Sequence, residues 1–188
     1  GSGGDAADQG YISMDTSADD DIGMLGNNFT VATWFKCGDT SSKTAGNGSH
    51  FTVSTADDTM FMGWAIGRMS SDSFPFLAPA SSAQGRMCFV AGTGMAWAAA
   101  YSNSNGDSNE NVDGLWHHLV GVVDSGTMTL YIDGVAQSAT VAPGVIFPSG
   151  VAALGRTMVN KNSDYVNGAI DQTAVWNVVL SGAEITTL

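Results

Sequence analysis

Short runs rich in Val, Thr, Phe, Tyr and Trp recur along the chain, and Gly, Ser, Asn or Asp bounds each of them. That punctuation predicts many short β-strands rather than helices. The runs fall at residues 10–15, 29–37, 61–68, 86–91, 95–102, 115–124, 127–133, 151–156 and 168–178. Two of them show a clear two-residue period. In 115–124 one face takes Trp116, His118, Val120 and Val122, and this apolar face is the one expected to enter the core. In 127–133, Met128, Leu130 and Ile132 share one face, with Thr129, Tyr131 and Asp133 opposite. Asp124-Ser125-Gly126 between these strands reads as a tight hairpin turn, Gly126 supplying a positive φ. Asp133-Gly134 opens a second turn, so consecutive hairpins build an antiparallel sheet. Helical periodicity is confined to the C-terminal end. There Ser181, three residues before Glu184, forms a capping-box pattern for one short helical turn.

The stretches 40–49, 70–82 and 102–111 are dense in Ser, Asn, Asp and Gly and read as loops on a rim. No repeat or domain boundary is found, so 10–188 is expected to form one domain and 1–9 a tag or linker. No apolar run approaches the roughly 20 residues of a membrane span, and no membrane insertion is expected.

Charge narrows the partners. The 18 acidic residues outnumber the 6 basic ones, for a net charge of −12. Phosphate contacts need Lys and Arg, so nucleic acid and anionic membranes are poor partners. Glu110 and Glu184 are the only Glu; the remaining acids are Asp, which suits turns and hard-cation ligation. Cys37 and Cys88 match no zinc spacing, and they stand equally as a disulfide or as two buried thiols.

Several segments carry a family resemblance. Phe29-Thr30-Val31-Ala32-Thr33-Trp34-Phe35-Lys36 resembles the early strand of laminin G-like jelly rolls, and 115–124 resembles their central strand. Leu130-Tyr131-Ile132-Asp133-Gly134 resembles the hairpin that follows. Gly168-Ala169-Ile170-Asp171, running on to Val175-Trp176-Asn177, resembles the closing strand. Leu180-Ser181 with Glu184-Ile185 and Leu188 resembles the terminal turn. The resemblance implies an all-β, two-sheet antiparallel jelly-roll sandwich of the concanavalin A-like type, with a short C-terminal helical turn. Calcium near a rim and an extracellular or cell-surface setting are common in such folds. Lectins, pentraxins, adhesion modules and non-catalytic parts of glycan-degrading enzymes share the architecture, which does not by itself fix the ligand.

Glycosidases also use this sandwich, and they need two carboxyl groups facing each other across a sugar, roughly 5 to 9 Å apart. No strand offers acids at i and i+2 or i+4, and the Glu-x-Asp-x-x-Glu run of glucanases is absent. His117 and His118 are strand neighbours that point to opposite faces, His118 into the core and His117 toward ligand or solvent. No Gly-x-Ser-x-Gly elbow occurs. The chain is expected not to be an enzyme.

Two binding chemistries remain. A calcium ion takes about six to eight oxygens. Asp19, Asp20 and Asp21 before the 29–37 strand, with Asp171 from the closing strand, are the candidate ligands. A sugar needs an aromatic platform beside polar donors and acceptors. Trp97 and Tyr101, four apart and running into Asn103 and Asn105, are the first candidates, with Tyr131 and Trp64 beside them. Trp34, Trp116 and Trp176 are assigned to the core. The resulting expectation is a carbohydrate-binding or adhesion module of a larger secreted or surface protein, engaging a glycan or surface polysaccharide. A structural or protein-interaction module of a bacterial or viral surface assembly, contacting neighbouring domains of its parent protein, is the alternative, and an atypical polysaccharide lyase or hydrolase the third.

The calcium expectation predicts a binding isotherm when calcium is titrated into chelator-stripped protein. A flat calorimetric trace removes the ion from the picture.

Overall fold

The structure, a computed structural model, describes residues 12–15, 25–38, 50–55, 62–69, 86–103, 113–141, 151–155 and 166–188. It is an antiparallel β-sandwich. One sheet has six strands in the order β1 (Ile12–Asp15), β10 (Val151–Leu154), β3 (His50–Ser54), β4 (Trp64–Arg68), β5 (Met87–Gly92) and β6 (Trp97–Tyr101). The other has five, in the order β11 (Gly168–Trp176), β2 (Asn28–Cys37), β7 (Trp116–Asp124), β8 (Thr127–Ile132) and β9 (Val135–Val141). A single helical turn, α1 (Gly182–Ile185), follows β11. The two-sheet sandwich agrees with the expectation from sequence, to which β3 and β9 are additions.

The turns form as their residues dictate. Ser125 and Gly126 have φ of 49° and 87°, and Asp133 and Gly134 have 51° and 78°. Positive φ at both central residues gives the turn whose twist matches antiparallel strands. At the C-terminal end, the Glu184 N–H donates to Ser181 Oγ at 3.3 Å and the Ser181 N–H to Glu184 Oε2 at 2.8 Å, completing the capping box.

The main core lies between the sheets. Phe29, Val31, Phe35 and Cys37 of β2, Leu119 and Val123 of β7, and Met128, Leu130 and Ile132 of β8 face Trp64, Ile66, Met87, Phe89, Ala98 and Ala100. Phe29 sits at the centre, its ring 5.8 Å from Trp64 and 6.0 Å, edge-on, from Phe89. The six-stranded sheet is buried on its outer face as well, where Phe51, Ala65, Cys88, Val90, Trp97 and Ala99 cluster. Cys37 therefore lies between the sheets and Cys88 on the outer face of the six-stranded sheet, and they are not joined by a disulfide. Burial pushes the Cys88 thiol far up, so it stays protonated and inert.

In β7 the expected inward face is reversed. Leu119 and Val123 enter the core, while Val120 and Val122 pack on the outer side with Ala32, Tyr131 and Ile185 of the terminal turn. The reason is Gly121, which belongs to the inner row but has no side chain to show it. A Cβ there would lie 2.6 Å from the Phe89 ring. Phe89 of one sheet is seated on the bare backbone of the other.

The seat has a measurable consequence. Alanine ordinarily improves on glycine in a strand, by about 0.5–1 kcal/mol. Here the overlap with Phe89 reverses the sign, and Gly121→Ala is expected to cost about 1–3 kcal/mol in urea unfolding. Unchanged or increased stability would show that Phe89 is loosely seated.

Candidate functional site

The outer face of the five-stranded sheet is divided into a covered half and an open half. The covered half lies under the terminal turn. Ile185, 1% exposed, packs there with Ala32, Val120 and Val122, and Tyr131, Trp176 and Leu180 close around it. Thr30 ties the approach to this turn: its Oγ1 donates to the Val178 carbonyl at 2.9 Å and accepts from the Leu180 N–H at 3.0 Å.

The open half is a trough. β2 and β7 pair without interruption from Asn28–Asp124 to Lys36–Trp116, which sets Trp34 directly opposite His118. Their rings stack with centroids 5.0 Å apart and planes 26° from parallel. On the other side of β2, Trp34 pairs with Asp171 of β11. A hollow of about 330 Å³ is lined by Trp34, Trp116, Asp171, Gln172 and Leu188. A second, of about 270 Å³, shares Trp34, Gln172 and Leu188 with it and extends to His118, Thr173 and Trp176. Trp116 is 42% exposed, an open indole at the mouth.

A bulge in β11 shapes one wall. Gln172 and Thr173 together oppose the single residue Thr33 between the pairs Asp171–Trp34 and Ala174–Ala32. Gln172 takes φ of 48°, and its N–H donates to Asp171 Oδ1 at 2.8 Å. Thr173 Oγ1 meets Thr33 Oγ1 at 3.0 Å, which anchors the bulge to β2. Bulges of this kind bend the strand and re-aim a side chain.

The two histidines behave oppositely. His118 is 7% exposed. Burial lowers its pKa, and the charge of Asp133 offsets only part of that, so the ring facing Trp34 is neutral near pH 7. His117 points to the other side of β7, with Nδ1 2.8 Å from Asp133 Oδ2 and Nε2 3.1 Å from Asp113 Oδ1. A neutral imidazole has one N–H and cannot donate to two carboxylates, so this geometry calls for the imidazolium. Burial alone would lower its pKa, but the hydrogen bonds to Asp133 and Asp113, and then their charges, outweigh it and raise the value. His117 is thus held at the rim by carboxylates, and the core position expected for His118 is on the outer face instead.

The sugar candidates read from sequence do not come together. Trp64, 1% exposed and packed on Phe29, belongs to the main core and offers no face to a ligand. Trp97 shares a face of β6 with the half-buried Tyr101, as their spacing required, but is itself 7% exposed within the apolar cluster there. Burial, then the neighbouring Cys88, push the Tyr101 hydroxyl up to about 12, with Arg86 opposing. Asn103 is exposed and gives its N–H to Gln137 Oε1 at 2.8 Å. Tyr131 faces away from the main core, as expected, but on the other sheet and against the terminal turn. Asn105 lies outside the described residues.

Of the calcium candidates, Asp19, Asp20 and Asp21 lie outside the described residues. Asp171 is exposed in the trough, whereas β1 of the N-terminal segment belongs to the other sheet. Among the described residues no group of three or more His, Cys, Asp or Glu side chains is placed to hold a metal.

Trp34, Trp116 and Trp176, expected in the core, line the trough. The signal was present in β2: its even positions include Asn28, Thr30 and Lys36, and its odd ones Phe29, Val31, Phe35 and Cys37. A tryptophan on the lysine face of a strand points to solvent.

A model of the concanavalin A-like lectin/glucanases superfamily matches residues 7–186. No match is found among curated protein sequences. Among solved structures, the chain resembles domain 4 of AbnA, a GH43 extracellular arabinanase from Geobacillus stearothermophilus, in complex with arabinotriose. That likeness has 20% identity and a TM-score of 0.59, covering 88% of this chain and 68% of that one. A heptameric SAP-like pentraxin from Limulus polyphemus gives 15% identity and TM-score 0.54, over 87% and 70% of the two chains. The binding domain of botulinum neurotoxin DC, in complex with rat synaptotagmin II, gives 16% and 0.66 over 99% of this chain and 40% of the toxin chain. At these identities the likeness is one of fold.

The histidine environments predict two separated titrations. By NMR, His117 is expected to titrate above the ordinary value of about 6.5 and His118 below it. Because the folded His117 pKa is raised, its stabilisation is complete below the unfolded value and is lost as pH rises through the folded one. The wild type should therefore exceed His117→Gln in melting temperature by more at roughly pH 6 than at roughly pH 8. A gap that widens with pH would refute the two-carboxylate clamp.

Proposed function

Because this chain belongs to the concanavalin A-like lectin/glucanases superfamily, we propose that it is a carbohydrate-binding module, with the trough beside the terminal turn as its contact surface. The observation that carries this reading is the composition of the trough: the indoles of Trp34 and Trp116 beside Asp171, Gln172 and Thr173. A sugar ring has apolar C–H faces and a polar rim, and this lining matches both. The volume of about 330 Å³ falls within the size of small-ligand pockets, about 300–1,000 Å³. Among the described residues the trough presents one carboxylate, Asp171, where hydrolysis would need an opposed pair, and the reading proposed is of binding. Its setting in this reading is a secreted or surface protein, with the glycan outside the cell.

The test is a glycan array followed by Trp116→Ala. Trp116 lies outside the three apolar clusters, so its truncation leaves folding intact. Glycan affinity is expected to fall tenfold or more, equivalent to about 1.4 kcal/mol. Undiminished affinity would remove the trough as the binding surface.

A further inference from the structure

The bulged strand β11 places a carboxylate and a carboxamide side by side at the edge of an aromatic wall. Asp171 stands opposite Trp34 in register, and Gln172 follows it with φ of 48°, a left-handed conformation uncommon for a residue with a side chain. Asp171 Oδ1 accepts the Gln172 N–H at 2.8 Å, and the Thr173–Thr33 hydroxyl pair at 3.0 Å locks the next residue. Local strain of this sort persists where the surroundings enforce it, and it gathers at binding sites. Its effect here is to put Gln172 into both hollows of the trough.

We propose that the Asp171–Gln172 bulge determines the specificity of the trough and selects a neutral sugar residue, recognised without a bridging metal. This deepens the carbohydrate-binding reading above and rests on it. A carboxylate only accepts hydrogen bonds, whereas a carboxamide both donates and accepts. Adjacent sugar hydroxyls, each able to donate and accept, are met by that pair while the C–H face of the ring lies on the indoles. Charge selects against anionic sugars. Among the described residues lining the trough there is no Lys or Arg, and His118 is held neutral by burial. Asp171 would repel a sulfate or uronate, in a chain whose net charge is already −12. Lys36 stands one row away between Ala169 and Trp116, exposed at the end of the trough rather than in its wall. Among the described residues of the lining Asp171 is the single carboxylate, where a bridging calcium ordinarily takes several.

The experiment compares the intact protein with Gln172→Gly and Asp171→Asn on an array of neutral, sialylated, sulfated and uronate glycans, with calcium and with chelator. Glycine accepts the positive φ at 172 without strain, so the first variant removes the carboxamide and keeps the bulge. The expected result is binding to neutral glycans that chelator leaves unchanged. Affinity should fall about tenfold or more in Gln172→Gly at an unaltered melting temperature, and Asp171→Asn should admit anionic glycans. Binding confined to anionic glycans, or abolished by chelator, would overturn the inference while leaving the module a glycan binder. So would glycan binding that Trp116→Ala abolishes but both bulge variants keep with the same rank order. An array blank for the intact protein in both conditions would overturn the carbohydrate reading itself, and the inference with it.

Discussion

Phe89 of the six-stranded sheet rests on the bare backbone of Gly121 in the five-stranded sheet, where a Cβ would come within 2.6 Å of its ring. The close approach fixes how the sheets face each other. With Gly121 beneath Phe89, Leu119 and Val123 must also turn inward, to meet Met128, Leu130 and Ile132. Trp116, His118, Val120 and Val122 are then committed to the outer face. Since β2 pairs residue by residue with β7, Trp34 is carried to the outer face too, against His118. The aromatic trough is thus a consequence of the packing beneath it.

What keeps that outer face from being an unprotected apolar sheet is the terminal turn. The buried Thr30 hydroxyl bonds both Val178 and Leu180, and Ile185 closes over Ala32, Val120 and Val122. A buried isoleucine side chain is worth about 1.5–3 kcal/mol, enough to hold a four-residue helix that could not persist alone. The turn covers one half of the face and leaves the other open, with Leu188 at the boundary. The fold thereby supplies a rigid floor of stacked Trp34 and His118, and the β11 bulge supplies the polar edge. Binding surfaces on rigid strands hold their geometry better than those on loops.

Electrostatics separates this trough from the rim below it. His117, only one residue from His118, spends its charge on Asp113 and Asp133 and fixes the start of β7 against the β8–β9 turn. His118 keeps its ring neutral and uses its backbone N–H, at 2.9 Å, for the other oxygen of Asp133. The same aspartate therefore clamps a cation on one side of the strand and the backbone of the aromatic floor on the other.

The sequence alone determined the sandwich class, the Ser125-Gly126 and Asp133-Gly134 turns, the capping box at Ser181 and the core face of β8. Each follows from local chemistry or from an alternation that one wet face makes visible. The five residues of β3 match none of the expected strands, since the short His50–Ser54 run is bordered by a long polar stretch. Trp64 and Trp97, read as ligand contacts, are buried because β4, β5 and β6 are covered on both faces, so their strands show no alternation to interpret. Trp34, Trp116 and Trp176, read as core, line the trough because an outer face half covered by a terminal turn looks as apolar in sequence as an inner one. A two-residue period tells which side chains share a face. Only the packing of the second sheet, announced in β7 by a glycine with no side chain to count, decides which face is inside.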